Sequence, residues 1–148
     1  MGEVRVTTLV TNAMDDSLAR RGKIQPNEIR KHEVTAVVDT GAVRCVVPVD
    51  VVNRLGLELR GETTAEYADG RKEVVGLTEP VIFTLNHRST VEEALVLGDE
   101  VLIGQTVLEK LDLFVDCAGQ RLVPPGTCRC LGSLMQIWLR QKPLGASS

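Results

Sequence analysis

The chain has 148 residues, of which 43% are hydrophobic and 25% charged, and its formal net charge is −3. This length suits one domain, and the interspersed charges form no basic stripe of the kind that binds nucleic-acid phosphates. No segment approaches the roughly 20 apolar residues that a membrane helix needs, and the N-terminal residues lack the pattern of a secretory signal. We therefore expect a soluble cytoplasmic domain whose partner is a peptide or a small molecule.

The hydrophobic residues are mostly Val and Leu, with few aromatics, which favours strands over helices. In chain order, alternation of apolar residues predicts a strand at 3–10, and a polar stretch predicts a loop at 12–28. A second strand is predicted at 32–38. It becomes apolar on both faces towards its end and stops at Asp39.

The middle of the chain predicts one helix and two hairpins. A β-branched run at 44–47 precedes a short helix at 49–55, which Gly56 ends. The hairpin signal is strongest at 63–77, where Asp69-Gly70 suits a two-residue turn. A second hairpin is predicted from strands at 80–85 and 91–97.

The last third of the chain predicts a brief strand at 102–104, a helix at 105–111, and strands at 113–117 and 121–123. After Pro124-Pro125-Gly126 the character changes. We predict one mostly-β domain over residues 1–124 and a C-terminal tail over 125–148, partly disordered or containing a short helix.

The four cysteines predict no metal site. Cys45 and Cys117 lie in apolar strand-like runs, which is typical of buried free thiols. Cys128 and Cys130 form a lone Cys-x-Cys without a second pair or a nearby His, and a zinc site normally needs four ligands. We predict neither a metal nor another cofactor.

The most distinctive motif is Asp39-Thr40-Gly41-Ala42, which directly follows two valines. A carboxylate at the end of a buried strand costs free energy, so its presence there indicates a specific role. The tripeptide alone is also compatible with an ordinary turn in which Asp39 caps the backbone. Its context distinguishes the two interpretations.

That context resembles the retropepsins, the homodimeric aspartic proteases of retroviral type, and particularly their prokaryotic and cellular branch. The similarity covers about residues 33–123: the motif at 39–42 comes first, then the Asp69-Gly70 hairpin, then Leu102-Ile103-Gly104 leading into a helix. The resemblance implies an all-β, closed-barrel acid protease fold with one short helix in the C-terminal half, assembled as a homodimer.

The resemblance also implies roles for individual residues. Asp39 would be catalytic, the Thr40 hydroxyl would bond across the two-fold axis, and Gly41 would let the backbone approach the carboxylate. Substrate contacts would come from Ala42 and from a flap at the tip of the first hairpin, namely Tyr67, Ala68, Asp69 and Gly70. Retroviral enzymes carry acidic residues just after the Ala, where this chain has Val43 and Arg44, so the substrate contacts made there are not carried over.

The chemistry of such a site needs two carboxylates. When they lie about 3 Å apart they share one proton; the charged member takes a proton from water and the neutral member donates to the scissile carbonyl. The chain contains a single Asp-Thr-Gly, so a second copy must supply the other Asp39. The sequence thus predicts a homodimeric aspartic endopeptidase. Two alternatives stay open: a dimeric peptide-binding or assembly module of the same fold with weak or no catalysis, and an unrelated β-barrel domain with a chance motif.

Overall fold

The computed structural model describes residues 4–66, 69–116 and 121–123. The helices are α1 (Ala13–Arg20), α2 (Val49–Leu55) and α3 (Gln105–Leu111), with a short 3-10 helix at Pro26–Glu28. The strands are β1 (Val4–Asn12), β2 (Lys31–Val38), β3 (Val46–Val47), β4 (Leu59–Glu66), β5 (Lys72–Thr78), β6 (Val81–Leu85), β7 (Arg88–Glu92), β8 (Leu95–Val96), β9 (Val101–Ile103), β10 (Phe114–Asp116) and β11 (Arg121–Val123).

Nine of these strands form one curled, half-barrel sheet in the order β4-β5-β8-β3-β9-β2-β1-β6-β7, and β10 pairs with β11 in a separate two-stranded sheet. The prediction of a mostly-β fold is therefore confirmed. The predicted tail at 125–148 lies outside the described residues, as do Cys117, Cys128 and Cys130, so the domain boundary at 124 stays a prediction.

The core lies where α2 and α3 pack on the curled sheet. Strand residues such as Val10 and Phe83 are fully buried, and α2 and α3 contribute Leu55 and Leu108 to the same cluster. Burying each of these side chains stabilises the fold by about 1.5–3 kcal/mol. The sequence predicted α2 and α3 with the bounds observed, and both predictions are confirmed.

The loop predicted at 12–28 is wrong for residues 13–20, which form α1. The Asn12 side chain caps this helix by accepting a 3.1 Å hydrogen bond from the Asp15 N–H, and its Nδ2 donates at 2.7 Å to the Leu55 carbonyl. Asp15 and Asp16 lie in the first turn, where negative charge complements the helix dipole. An Asn cap followed by acidic residues was thus a usable helix signal, which the polar composition obscured.

The strand predicted at 91–97 is interrupted. β7 ends at Glu92 and β8 begins at Leu95, and the two strands have different neighbours: β7 pairs with β6, whereas β8 lies between β3 and β5. The hairpin predicted at 63–77 is present as β4 and β5, which are longer than expected.

Candidate active site

The segment 39–45, here called the 39–45 loop, connects β2 to β3 across the end of β9. β9 lies between these two strands, parallel to β2 with Val38 opposite Ile103, and antiparallel to β3 with Val46 opposite Leu102. Both ends of the loop are therefore fixed by hydrogen bonds to the same central strand. This arrangement restrains the position of Asp39, the first residue of the loop.

The Asp39 carboxylate is oriented by the backbone of its own turn. Gly41 N–H donates a 3.0 Å hydrogen bond to Oδ1 of Asp39, and Ala42 N–H donates at 3.1 Å to the Asp39 carbonyl. Asp39 N–H donates at 3.0 Å to the carbonyl of Ile103 in β9. The side chain is exposed in the single chain, so a carboxylate of fixed orientation faces solvent.

The roles of Gly41 and Thr40 stay predictions, and the surroundings of the two residues bear on them. A β-carbon on Gly41 would lie 3.3 Å from Oδ1 of Asp39, a close contact that would crowd the hydrogen bond to the carboxylate. Thr40 is exposed, and in the part of the chain that the structure describes its hydroxyl makes no hydrogen bond. The hydroxyl is thus available to a second molecule.

The start of α3 holds the rest of the loop. Gln105 N–H donates at 2.8 Å to the Ala42 carbonyl. Thr106 donates twice to the Val43 carbonyl, from its N–H at 3.1 Å and from Oγ1 at 3.0 Å. Thr106 was not among the residues predicted from the sequence. Its only signal was its position just after Ile103-Gly104.

Cys45, at the far end of the loop, is fully buried, as predicted for a free thiol. Burial raises the pKa of the Cys45 thiol to about 12. Its Sγ accepts a hydrogen bond from Gly104 N–H at 3.4 Å. This cysteine is therefore a buried, protonated thiol that packs the loop against the start of α3.

The predicted flap residues are only partly described. Asp69 forms hydrogen bonds within the hairpin, to Arg71 N–H at 3.0 Å and Arg71 Nε at 2.8 Å, and these bonds lower the pKa of the Asp69 carboxyl. Gly70 has a φ of +89°, as a tight turn requires. Tyr67 and Ala68 lie outside the described residues, so the substrate contacts assigned to Ala42 and to the flap stay predictions.

Within residues 4–66, 69–116 and 121–123, no three His, Cys, Asp or Glu side chains are placed to hold a metal ion. No helix in these ranges is both long and apolar enough to span a bilayer.

Comparison with known families identifies the fold. Residues 24–110, more than half of the chain, match the family described as "gag-polyprotein putative aspartyl protease". The chain belongs to this aspartyl protease family. Asp39 to Ala42, the whole of the 39–45 loop and the start of α3 fall inside the matched region. The resemblance inferred from the motif order is thus confirmed.

Solved structures show the same fold at low sequence identity. The EIAV protease complexed with the inhibitor HBY-793 is 18% identical, with a TM-score of 0.53 over 74% of this chain and 88% of that chain. The retroviral protease-like domain of Ddi1 from Leishmania major is 14% identical, with a TM-score of 0.51 over 84% and 86% of the two chains. A search of curated proteins found no match. The retropepsin-like fold of this chain is therefore supported by both the family and the structural similarity.

Proposed function

We propose that this chain is an aspartic endopeptidase in which Asp39 from each of two subunits forms the catalytic pair. The observation that carries the proposal is the exposed Asp39 carboxylate, which Gly41 N–H orients at 3.0 Å inside a loop fixed to β9. In an aspartyl protease family, a preoriented carboxylate at this position is the group expected to act on water.

A homodimer follows from the chemistry. The sequence contains one Asp-Thr-Gly, and the mechanism requires two facing carboxylates that share a proton. A two-fold axis beside the 39–45 loop would supply the second Asp39 from an identical surface. The exposed Thr40 hydroxyl, with no hydrogen bond to any described residue, is well suited to a contact with the partner subunit.

In the proposed reaction, the ionised member of the pair removes a proton from a water molecule as that water attacks the scissile carbonyl carbon. The protonated member donates its proton to the carbonyl oxygen, which gives a tetrahedral intermediate. Proton transfer to the nitrogen then releases the amine product. Gly41 N–H keeps one carboxylate oxygen in place throughout, so little reorganisation is needed.

The test is cleavage of a disordered protein such as casein between about pH 4 and 7, using wild type, Asp39→Asn and the control Asp99→Asn. Asp99 is an exposed carboxylate outside the 39–45 loop, so its variant removes the same charge elsewhere. Light scattering gives the mass of each protein. We expect all three proteins to be dimers. Wild type and Asp99→Asn should cleave the substrate, and Asp39→Asn should not.

Two other results would change the assignment. Equal cleavage by wild type and Asp39→Asn would place the activity elsewhere and overturn the proposal. Dimers that bind an unfolded peptide but never cut it would favour the alternative function, a peptide-binding or assembly module of the same fold.

A further inference from the structure

A surface cavity of about 410 Å³ adjoins the 39–45 loop. Its size is within the range of about 300–1,000 Å³ that is common for ligand pockets. The lining comes from the loop, from Pro80, from the end of β7 and the residue after it, and from α3. It includes Val43, Arg44, Val91, Glu92, Glu93 and Lys110. The cavity therefore shares Val43 and Arg44 with the loop that carries Asp39, and Asp39 itself is not part of its lining.

The charged side chains that line this cavity differ in whether an oppositely charged group lies beside them. Glu92 forms an ion pair with Lys110, whose Nζ also donates to the Val91 carbonyl at 3.1 Å. Glu93 accepts a 3.2 Å hydrogen bond from Arg60. Arg44 is exposed, and its guanidinium makes no hydrogen bond or ion pair with any residue that the structure describes. Both carboxylates are matched by cations, so one positive charge is left for a ligand.

The backbone that carries Arg44 is firmly held. Thr106 makes two hydrogen bonds to the carbonyl of the preceding residue, Val43, and Gly104 packs directly against the Arg44 carbonyl. Beside Arg44, the side chains of Val43 and Val91 are 68% and 48% exposed. A ligand with a carboxylate on a short hydrocarbon stem would pair with the guanidinium and cover apolar surface.

We propose that Arg44 is a specificity-determining residue that selects an acidic side chain in the peptide substrate. This inference rests on the proposed function, because it presumes that a peptide binds beside Asp39. Arg44 is five residues after Asp39, so their α-carbons are separated by no more than about 17 Å. An extended peptide advances about 3.3 Å per residue, so the selected side chain falls within about five positions of the scissile bond.

The two-fold axis makes the prediction more specific. In a symmetric dimer each subunit contributes one Arg44, and the two lie on opposite sides of the catalytic pair. The preference for an acidic residue should therefore occur on both sides of the scissile bond, at equivalent distances. A surface arginine without a role in recognition would produce no such symmetry.

The test uses fluorogenic peptides based on one cleaved sequence, in which Glu, Gln or Lys is placed in turn at the five positions on each side of the scissile bond. We measure kcat/KM for wild type, Arg44→Gln, Arg44→Glu and the control Arg54→Gln, since Arg54 is exposed but does not line the cavity. Wild type should favour Glu over Gln roughly fivefold at the best position on each side, and the advantage should shrink at high salt.

Arg44→Gln should remove this preference, Arg44→Glu should reverse it towards Lys, and Arg54→Gln should retain it. Cleavage by wild type without any preference for Glu would overturn the inference and leave the protease function intact. If no peptide is cut, the proposed function fails separately. Fluorescence anisotropy of labelled Glu peptides then tests Arg44 alone, and equal binding by wild type and Arg44→Gln would overturn its role.

Discussion

Gly104 lies so close to the main chain of Arg44 that a β-carbon on Gly104 would be 2.6 Å from the Arg44 carbonyl oxygen and 2.7 Å from its carbonyl carbon. The backbone of Gly104 is extended, with φ −90° and ψ 178°, a conformation that any residue adopts. The requirement for glycine is therefore steric. It arises because the 39–45 loop crosses the junction of β9 and α3 at van der Waals distance.

We expect Gly104→Ala to displace the loop, because backbone atoms occupy the space that the methyl group needs. The free energy of unfolding should fall by about 2–3 kcal/mol, as in other overpacked sites. A catalytic group moved by about 1 Å can lose roughly a hundredfold in rate. Urea unfolding and kcat/KM of the same samples measure the two effects.

Gly61→Ala is the matched control, because no atom lies within 4 Å of the β-carbon that it adds. Its stability should stay within about 0.5 kcal/mol of wild type. If the two alanine variants are equally stable and equally active, the close packing of the loop on Gly104 is not what positions Asp39.

Asp15 provides a pH-dependent contribution to stability. This buried carboxylate accepts hydrogen bonds from Arg30 N–H at 3.0 Å, Nε at 2.8 Å and Nη2 at 3.0 Å, and these interactions hold the pKa of Asp15 below its usual value. The unfolded chain therefore binds this proton more tightly than the folded state. The stabilisation is complete above about pH 4, the unfolded pKa, and is lost as the pH falls through the lower folded pKa.

We expect Asp15→Asn to cost about 1–2 kcal/mol at neutral pH, a value kept small because Arg30 is 52% exposed and screened by solvent. The difference from wild type should vanish in acid. Asp16→Asn is the control, since its pair with Arg20 is a surface i,i+4 contact worth less than about 0.5 kcal/mol. Thermal unfolding at pH 7 and in acid measures both, and a cost for Asp15→Asn that persists in acid would contradict the assignment.

Cys45 should resist alkylation in the native protein. With its pKa raised to about 12, about one thiol in ten thousand is ionised at pH 8, and burial blocks access as well. Iodoacetamide labelling followed by mass spectrometry of the Cys45 peptide should show modification only after denaturation. Comparable labelling rates in native and denatured protein would mean that the 39–45 loop opens readily.

Arg88 is expected to stabilise the end of α3. Its Nη1 donates at 2.6 Å to the Leu111 carbonyl and at 3.1 Å to the Asp112 carbonyl, which satisfies acceptors that the helix leaves unpaired. Arg88→Met keeps the hydrocarbon stem and removes the donors, so it should cost about 1–2 kcal/mol in urea unfolding. Arg21→Met, at an exposed position, should cost under about 0.5 kcal/mol; equal losses would argue against the cap.

Local signals explain which elements were predictable. Gly56 ends α2 in the left-handed conformation, and Asp39-Thr40-Gly41 follows an apolar strand, so neighbouring residues indicate both features. α1 was missed because its polar composition outweighed the Asn12 cap.

The contacts of Thr106 and Gly104 with the loop join segments far apart in the chain, and one sequence carries no information about such pairings. The same limit applies to the charge left on Arg44, which depends on the partners that Glu92 and Glu93 find in the folded chain.

The hydrogen bond between Gly104 and Cys45 joins residues 59 positions apart, and β2 pairs with β9 across a similar span. Such non-local contacts form slowly because the two ends of a long chain segment must first be brought together, at a cost in conformational entropy. During synthesis, Asp39 emerges well before the strand and helix that shape its loop. An incomplete chain that ends before Gly104 thus carries the acidic residue without the geometry that orients it, so the proposed hydrolytic activity can develop only once translation has passed this glycine.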